Sequence, residues 1–355
     1  MARWPTALTD LLGCEHPVIQ APMAGSSTPA LAAAVSNAGG IGSLGCAMLN
    51  PEELRDGLRT LRAATNRPCN INFFVHAAPV EDPVRRARML ARLRPYCVEL
   101  GLALPDPAPE PPPPFDDARL DVVLRERPGV VSFHFGLPQA AHLDALKAAG
   151  VRVLSSATTV AEAGWLQAQG VDAVIAQGYE AGGHRGTFQS SFEAARVGTI
   201  ALVPQIVDAV ACPVIAAGGI MDGRGIAAAL MLGAAGVQLG TAFLGCPEAS
   251  VTPLYRAALR ASGAAGTRVT RAFTGRPARV LVNRYVQEMA DAEDDALAFP
   301  LQRGLSAPLA QAAAAQGSGD FVPLYAGQGA PLARELPAAE LLRTLVAETE
   351  RALAG

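Results

Sequence analysis

A rhythm constrains the fold of this chain more than any other feature. Eight short apolar runs, most of them β-branched, each end in a glycine or a polar residue; they span 17–21, 41–44, 69–74, 130–135, 151–155, 172–176, 213–217 and 236–239. Runs that stay apolar without alternating suit strands covered on both faces, as in a parallel sheet. Helical patterns lie between them. Thr28 and Pro29 form an N-cap followed by a first-turn proline, and Gly39–Gly40 end that helix. Asn50-Pro51-Glu52-Glu53 opens the next, with acidic groups at the positive end of the helix dipole. Segments 138–150, 159–170 and 223–233 follow the same logic. Eight strands alternating with helices predict an α/β chain folded as a (β/α)8 TIM barrel. Periodicity alone does not separate a closed barrel from an open doubly wound sheet, which stands as the alternative fold.

Two segments break the rhythm. Residues 104–115 include PDPAPEPPPPF, which suits neither a helix nor a central strand and reads as an extended surface insert. After Gly245 the alternation stops. Residues 247–330 look helical and irregular, with Arg268, Arg271, Arg276, Arg279 and Arg284 in a basic stretch, and read as a smaller, mainly helical lid subdomain. The expected organisation is a barrel over 1–246, the lid over 247–330, and a C-terminal segment over 331–355 whose helix, near 337–353, returns to the barrel. With 355 residues, half of them apolar and only 5% aromatic, Ala, Val, Leu and Gly carry the packing. A net charge of −3 supplies no basic footprint for a nucleic acid. Lys147 is the only lysine, so Schiff-base chemistry has almost no candidates. The six cysteines are scattered without CxxC, which points to free thiols, no disulfide framework and no metal site. Cys46, with no base beside it in sequence, reads as an inert buried thiol. No secretory leader or membrane-spanning run is expected, and the protein is read as cytoplasmic, either a monomer or a homodimer.

In such a barrel the chemistry sits where the strands end. The first run delivers Gln20-Ala-Pro-Met23, the third contains Asn72, the fourth His134, and the fifth ends at Ser155–Ser156. The sixth delivers Gln177-Gly-Tyr-Glu-Ala-Gly-Gly-His184-Arg-Gly186, the seventh Gly218–Gly219 and the eighth Gln238-Leu-Gly240-Thr241. Glycines after the seventh and eighth strands let backbone N–H groups approach an anion, so Gly218, Gly219, Gly240 and Thr241 read as a phosphate cradle. The amides of Asn72 and Gln177 suit a flat heterocycle with alternating donors and acceptors. His184, between Gly182–Gly183 and Gly186, is the chemical candidate, its near-neutral titration suiting proton abstraction or the stabilisation of an anion. His134 and Ser156 read as substrate wall or as structure, and His76 as an outer supporting group. Gly40-Ile-Gly42-Ser-Leu-Gly45 matches GxGxxG, but it follows a helix and runs through a strand, the wrong context for a dinucleotide site.

At these residues the chain resembles the nitronate monooxygenases, formerly called 2-nitropropane dioxygenases. The matching segments are IQAPMAG (19–25), AAAVSNAGGIGSLG (32–45), NINFFVH (70–76), SFHFG (132–136), QGYEAGGHRGTF (177–188), PVIAAGGI (213–220) and GVQLGTAFL (236–244), with further likeness at RPARVLVNRY (276–285), FPLQ (299–302) and LYAGQG (324–329). The likeness extends over nearly the whole chain except about 97–128. It implies an FMN-binding TIM barrel that oxidises small alkyl nitronates, such as propionate 3-nitronate, with O2 to a carbonyl compound and nitrite, without a nicotinamide. It places FMN contacts on Ala21, Pro22, Met23, Asn72, Gln177, Gly182, Gly219, Gln238, Leu239, Gly240 and Thr241; the adjoining Gly183 and Gly218 complete the expected cofactor set. His184 matches the family's active-site histidine. The proline insert departs from the family pattern. The related alternative is an NAD(P)H-dependent flavin reductase, of quinones or enoyl thioesters, which shares the EAGGH-type loop.

Overall fold

The computed structural model describes residues 6–105 and 113–355. The proline insert therefore lies largely outside the described residues; at its end Phe115 is buried, its ring 4.7 Å from Phe73.

Eight parallel strands form the central sheet: β1 Val18–Gln20, β2 Gly42–Gly45, β3 Cys69–Phe74, β4 Val130–His134, β5 Arg152–Ala157, β6 Ala173–Gln177, β8 Val214–Ala217 and β9 Gly236–Leu239. Between β6 and β8 lies the two-residue strand β7, Gly183–His184, which belongs to a second sheet. The spatial order β1-β9-β8-β6-β5-β4-β3-β2 is closed by β1 on β2, where the Gln20 N–H donates to the Ile41 carbonyl and the Ile41 N–H to that of Val18, both at 2.9 Å. That closure settles the fold as a barrel rather than an open sheet. The strand bodies are almost wholly buried, as runs covered on both faces must be.

Helix starts follow their capping residues. Thr28 accepts from the Leu31 N–H at the head of Pro29–Asn37, Asn50 and Glu53 form a reciprocal capping box for Pro51–Ala64, and Thr159 and Asp222 cap Val160–Ala168 and Gly223–Met231. The GxGxxG stretch serves packing. A Cβ at Gly42 would lie 1.9 Å from the Ala32 carbonyl oxygen, so the helix over 29–37 can sit on β2 only because that position is glycine. The C-terminal helix Ala338–Ala354 buries Leu341, Leu342 and Leu345 against the barrel.

A second apolar core joins two distant stretches of chain. Met89, Leu93, Tyr96 and Cys97 of the helix Pro83–Glu99 pack with Phe273, Tyr285, Met289, Leu305, Leu309 and Phe321. Arg88 and Arg92 pair with Asp295 and Asp291 across the same contact. Residues 247–330 also carry strands β10 Thr267–Thr270 and β11 Ala278–Leu281, which form an antiparallel sheet with β7 in the order β10-β11-β7. Sequence reading anticipated neither this sheet nor the helix over 83–99. Among the described residues, no helix is long and apolar enough to cross a membrane.

Candidate active site

A cavity of about 670 Å³ opens at the strand ends. From the barrel side it is lined by Ala21, Pro22, Met23, Asn72, Gln177, Gly182, Gly183, Gly218, Gly219, Gln238, Gly240 and Thr241, with His134, Ser156 and His184. Leu239 alone of the expected set is not in the wall; its side chain packs into the core while its carbonyl accepts from the Ala21 N–H at 2.8 Å. Tyr255, Thr274, Phe299, Arg303 and Tyr325, all within residues 247–330, also line the cavity.

His184 is held twice. Its backbone lies in β7, paired with Ala278 of β11, and its carbonyl accepts from Gln177 Nε2 at 2.9 Å and from His134 Nε2 at 3.1 Å. A carbonyl only accepts, so His134 carries its proton on Nε2, and its Nδ1 accepts from the Ser156 hydroxyl at 3.0 Å. His134 and Ser156 thus brace the backbone of His184. Gln177 does the same at both ends of its amide, since Oε1 accepts from the Gly186 N–H at 2.7 Å. The Gln177 amide, which also lines the cavity, thus fastens the histidine loop.

The His184 imidazole meets the Thr274 hydroxyl through Nε2 at 2.9 Å. The rings of Phe74, Phe299 and Tyr325 stand 5.8, 5.4 and 5.6 Å from it. Burial among these rings, helped by the neighbouring His134, Arg276 and Arg303, pushes its pKa from the ordinary 6.5 down to about 3. The group is therefore a neutral imidazole at pH 7, rather than one titrating near neutrality as the sequence suggested. Phe135, just past β4, sits at φ 75°, a costly conformation for a bulky residue, and its ring lies 3.8 Å below the Arg276 guanidinium. Cys46 is fully buried, its thiol pushed up to about 12 by desolvation, and it stays inert.

The residues present fit a flavin with a phosphate tail. Gly218 and Gly219 both take positive φ, 119° and 74°, which exposes their backbone to the cavity without strain. Among the described residues, the N–H groups of Gly219 and Gly240 donate to no protein acceptor. Elsewhere in the wall, Gln238 Oε1 is buried without a partner, and Asn72 spends Nδ2 on Ser132 while its Oδ1 has no protein donor among the described residues. Orphaned donors beside glycines and orphaned acceptors beside an apolar wall are what a bound phosphate and a flat heterocycle would satisfy.

A family model described as nitronate monooxygenase matches residues 5–348. The chain belongs to the nitronate monooxygenase family. A nitronate monooxygenase of Pseudomonas aeruginosa is 49% identical over 350 residues, covering 96% of this chain and 98% of that one. The crystal structure of a nitroalkane oxidase from Streptomyces ansochromogenes superposes with a TM-score of 0.90 at 43% identity, over 98% of this chain and 99% of the other. FabK from Thermotoga maritima gives a TM-score of 0.76 at 32% identity, over 99% and 97%. This member of the nitronate monooxygenase family is accordingly a flavin-dependent oxidoreductase.

Two residues that hold the site together escaped sequence reading. Thr274, the partner of the imidazole, lies 90 residues from it along the chain. Glu180, in the EAGGH segment, accepts from the Thr199 N–H and hydroxyl at 2.8 Å each. It thereby caps the helix Thr199–Ala209, whose own N-cap, Gly198, offers no side chain. The same Thr199 hydroxyl lies 2.9 Å from the Gly218 carbonyl, so the cap also sets the expected phosphate loop. Glu180→Ala is expected to cost about 1 kcal/mol or more of stability, as lost caps do, and to weaken flavin retention severalfold. Thermal melting with and without added flavin measures both, and an unchanged melt with unchanged flavin affinity refutes the linkage.

Proposed function

We propose that this enzyme uses FMN to oxidise small alkyl nitronates, propionate 3-nitronate among them, with O2 to a carbonyl compound and nitrite. The observation that carries this reading is the neutral imidazole of His184, caged by aromatic rings in the wall of a cavity that also offers unsatisfied flavin-type partners. FMN, with its terminal monophosphate, matches the open N–H groups of Gly219 and Gly240. A bound flavin would supply the electron acceptor for the nitronate and the donor to oxygen. The protein's own part is positioning. Residues 247–330 act as the lid, and Phe74, Phe299 and Tyr325 exclude water from the imidazole, so a hydrogen bond from it to a nitronate oxygen is strengthened.

The depressed basicity of His184 favours a preformed nitronate over a neutral nitroalkane. A base with a pKa of about 3 is poorly matched to a carbon acid that ionises weakly. The neutral form fills as pH rises through about 3 and is already complete near neutrality. The kcat/KM for a preformed nitronate is therefore expected to stay flat from about pH 6 to 8, with no inflection at the ordinary histidine value. Oxygen uptake and nitrite release with propionate 3-nitronate, run beside nitroethane and beside NADPH oxidation, test the reading. Oxidation of NADPH without nitrite from either substrate would instead favour the flavin reductase reading. Nitrite from nitroethane at the nitronate rate would overturn the preference for the anion.

A further inference from the structure

Among the described residues, the cavity wall contains no Asp, Glu or Lys, and Arg303 is its one formally charged group. The three histidines there do not add charge at pH 7. Burial holds His184 at about 3 and both His76 and His134 at about 4. Arg303 stands in the first turn of the helix Leu301–Ala315, exposed to solvent at the mouth, next to Phe299 and Pro300, which also line the wall. It differs from the other arginines of this region. Arg276 and Arg279 spend their guanidinium groups on the carbonyls of Thr187 and Tyr179, and Arg284 is paired with Glu99 and Glu288. Arg303 has no hydrogen-bond acceptor or carboxylate partner for its side chain among the described residues.

A cation that opens on a carboxylate-free cavity favours an anionic ligand. The wall near His184 is aromatic and dry, whereas Arg303 is wet, so a ligand with an anionic tail would seat its reacting end inward and the tail at the mouth. We propose that Arg303 is a specificity-determining residue whose guanidinium binds the carboxylate tail of a substrate such as propionate 3-nitronate. This inference rests on the nitronate reading above and concerns the residue that selects among its substrates.

The experiment compares wild-type holoenzyme with Arg303→Ala and Arg303→Lys on two substrates, ethyl nitronate with an uncharged tail and propionate 3-nitronate with a carboxylate. For Arg303→Ala, the ratio of kcat/KM values, propionate 3-nitronate over ethyl nitronate, is expected to fall about tenfold, mostly through KM, the size of one lost charge-assisted hydrogen bond. Arg303→Lys should recover part of it, because the charge remains. Butyrate, an unreactive carboxylate, supplies a binding readout without turnover. It should perturb the bound flavin's absorbance in the wild type, more weakly at high salt, and much more weakly in Arg303→Ala. An equal loss on both nitronates would place Arg303 at the reacting end and overturn the proposal, as would an unchanged ratio. Should the wild type release no nitrite from either nitronate, the reading of the reaction fails. The butyrate titration then still decides the anion site, and equal butyrate affinity in wild type and Arg303→Ala would remove it.

Discussion

His184→Asn is expected to keep its flavin and to lose about two orders of magnitude in kcat/KM on a nitronate, the usual cost of removing one positioned hydrogen-bonding group from a reacting centre. The backbone of residue 184 carries the structural load. It is the carbonyl that receives Gln177 and His134, and the strand β7 that pairs with β11; neither depends on the imidazole. Replacing the ring with a shorter amide should therefore leave the loop in place and remove only the bond to Thr274 and the ring's face on the cavity. Flavin content by absorbance and nitrite release at saturating nitronate give the two readouts. Flavin content at the wild-type level with nitrite release also at that level would take His184 out of the chemistry. Simultaneous loss of both would mean that the side chain, too, is structural.

The barrel was legible because its physics is local. Strands buried on both faces must be continuous apolar runs, and seven of the eight expected runs begin within one residue of the observed strand and end within one residue of it. The cavity's barrel wall followed, since each strand end is adjacent in sequence to its strand. What stayed hidden is non-local. β7, β10 and β11 are two to four residues long, and β7 consists of a glycine and a histidine, with no apolar run to announce it. The β-branched pattern at Thr267-Arg-Val-Thr270 and Ala278-Arg-Val-Leu281 was the available signal, read instead as part of a basic stretch. The helix Pro83–Glu99 is rich in arginine and holds Pro95, which masked its buried stripe of Met89, Leu93 and Tyr96. Its arginines find their acids some 200 residues downstream, as Arg88 with Asp295 illustrates at a separation of 207. Nor does sequence spacing report desolvation: the shift of His184 to about 3 comes from rings and guanidinium groups contributed by β3 and by residues 247–330.

Gly219→Asp is expected to weaken flavin binding by about a hundredfold, and the comparison that isolates the cause is Gly219→Asn. Position 219 has φ 74°, where aspartate and asparagine are the side chains best tolerated after glycine, and the two are nearly isosteric. A Cβ there would lie 3.1 Å from Glu180 Cβ, tight but equally so for both variants. They differ in charge. A carboxylate about 4 Å from a phosphate in a partly shielded site is opposed by about 3–4 kcal/mol, and about 2.7 kcal/mol already corresponds to a hundredfold in Kd. If the phosphate lies in this cradle, the asparagine variant should keep most of its affinity while the aspartate variant loses it, and the gap should narrow as salt rises. The two dissociation constants, measured by flavin fluorescence on reconstituted apoprotein at low and high ionic strength, decide it. Equal affinities in both variants would put the phosphate elsewhere, and with it the flavin ring that the open acceptors of Asn72 and Gln238 are taken to meet.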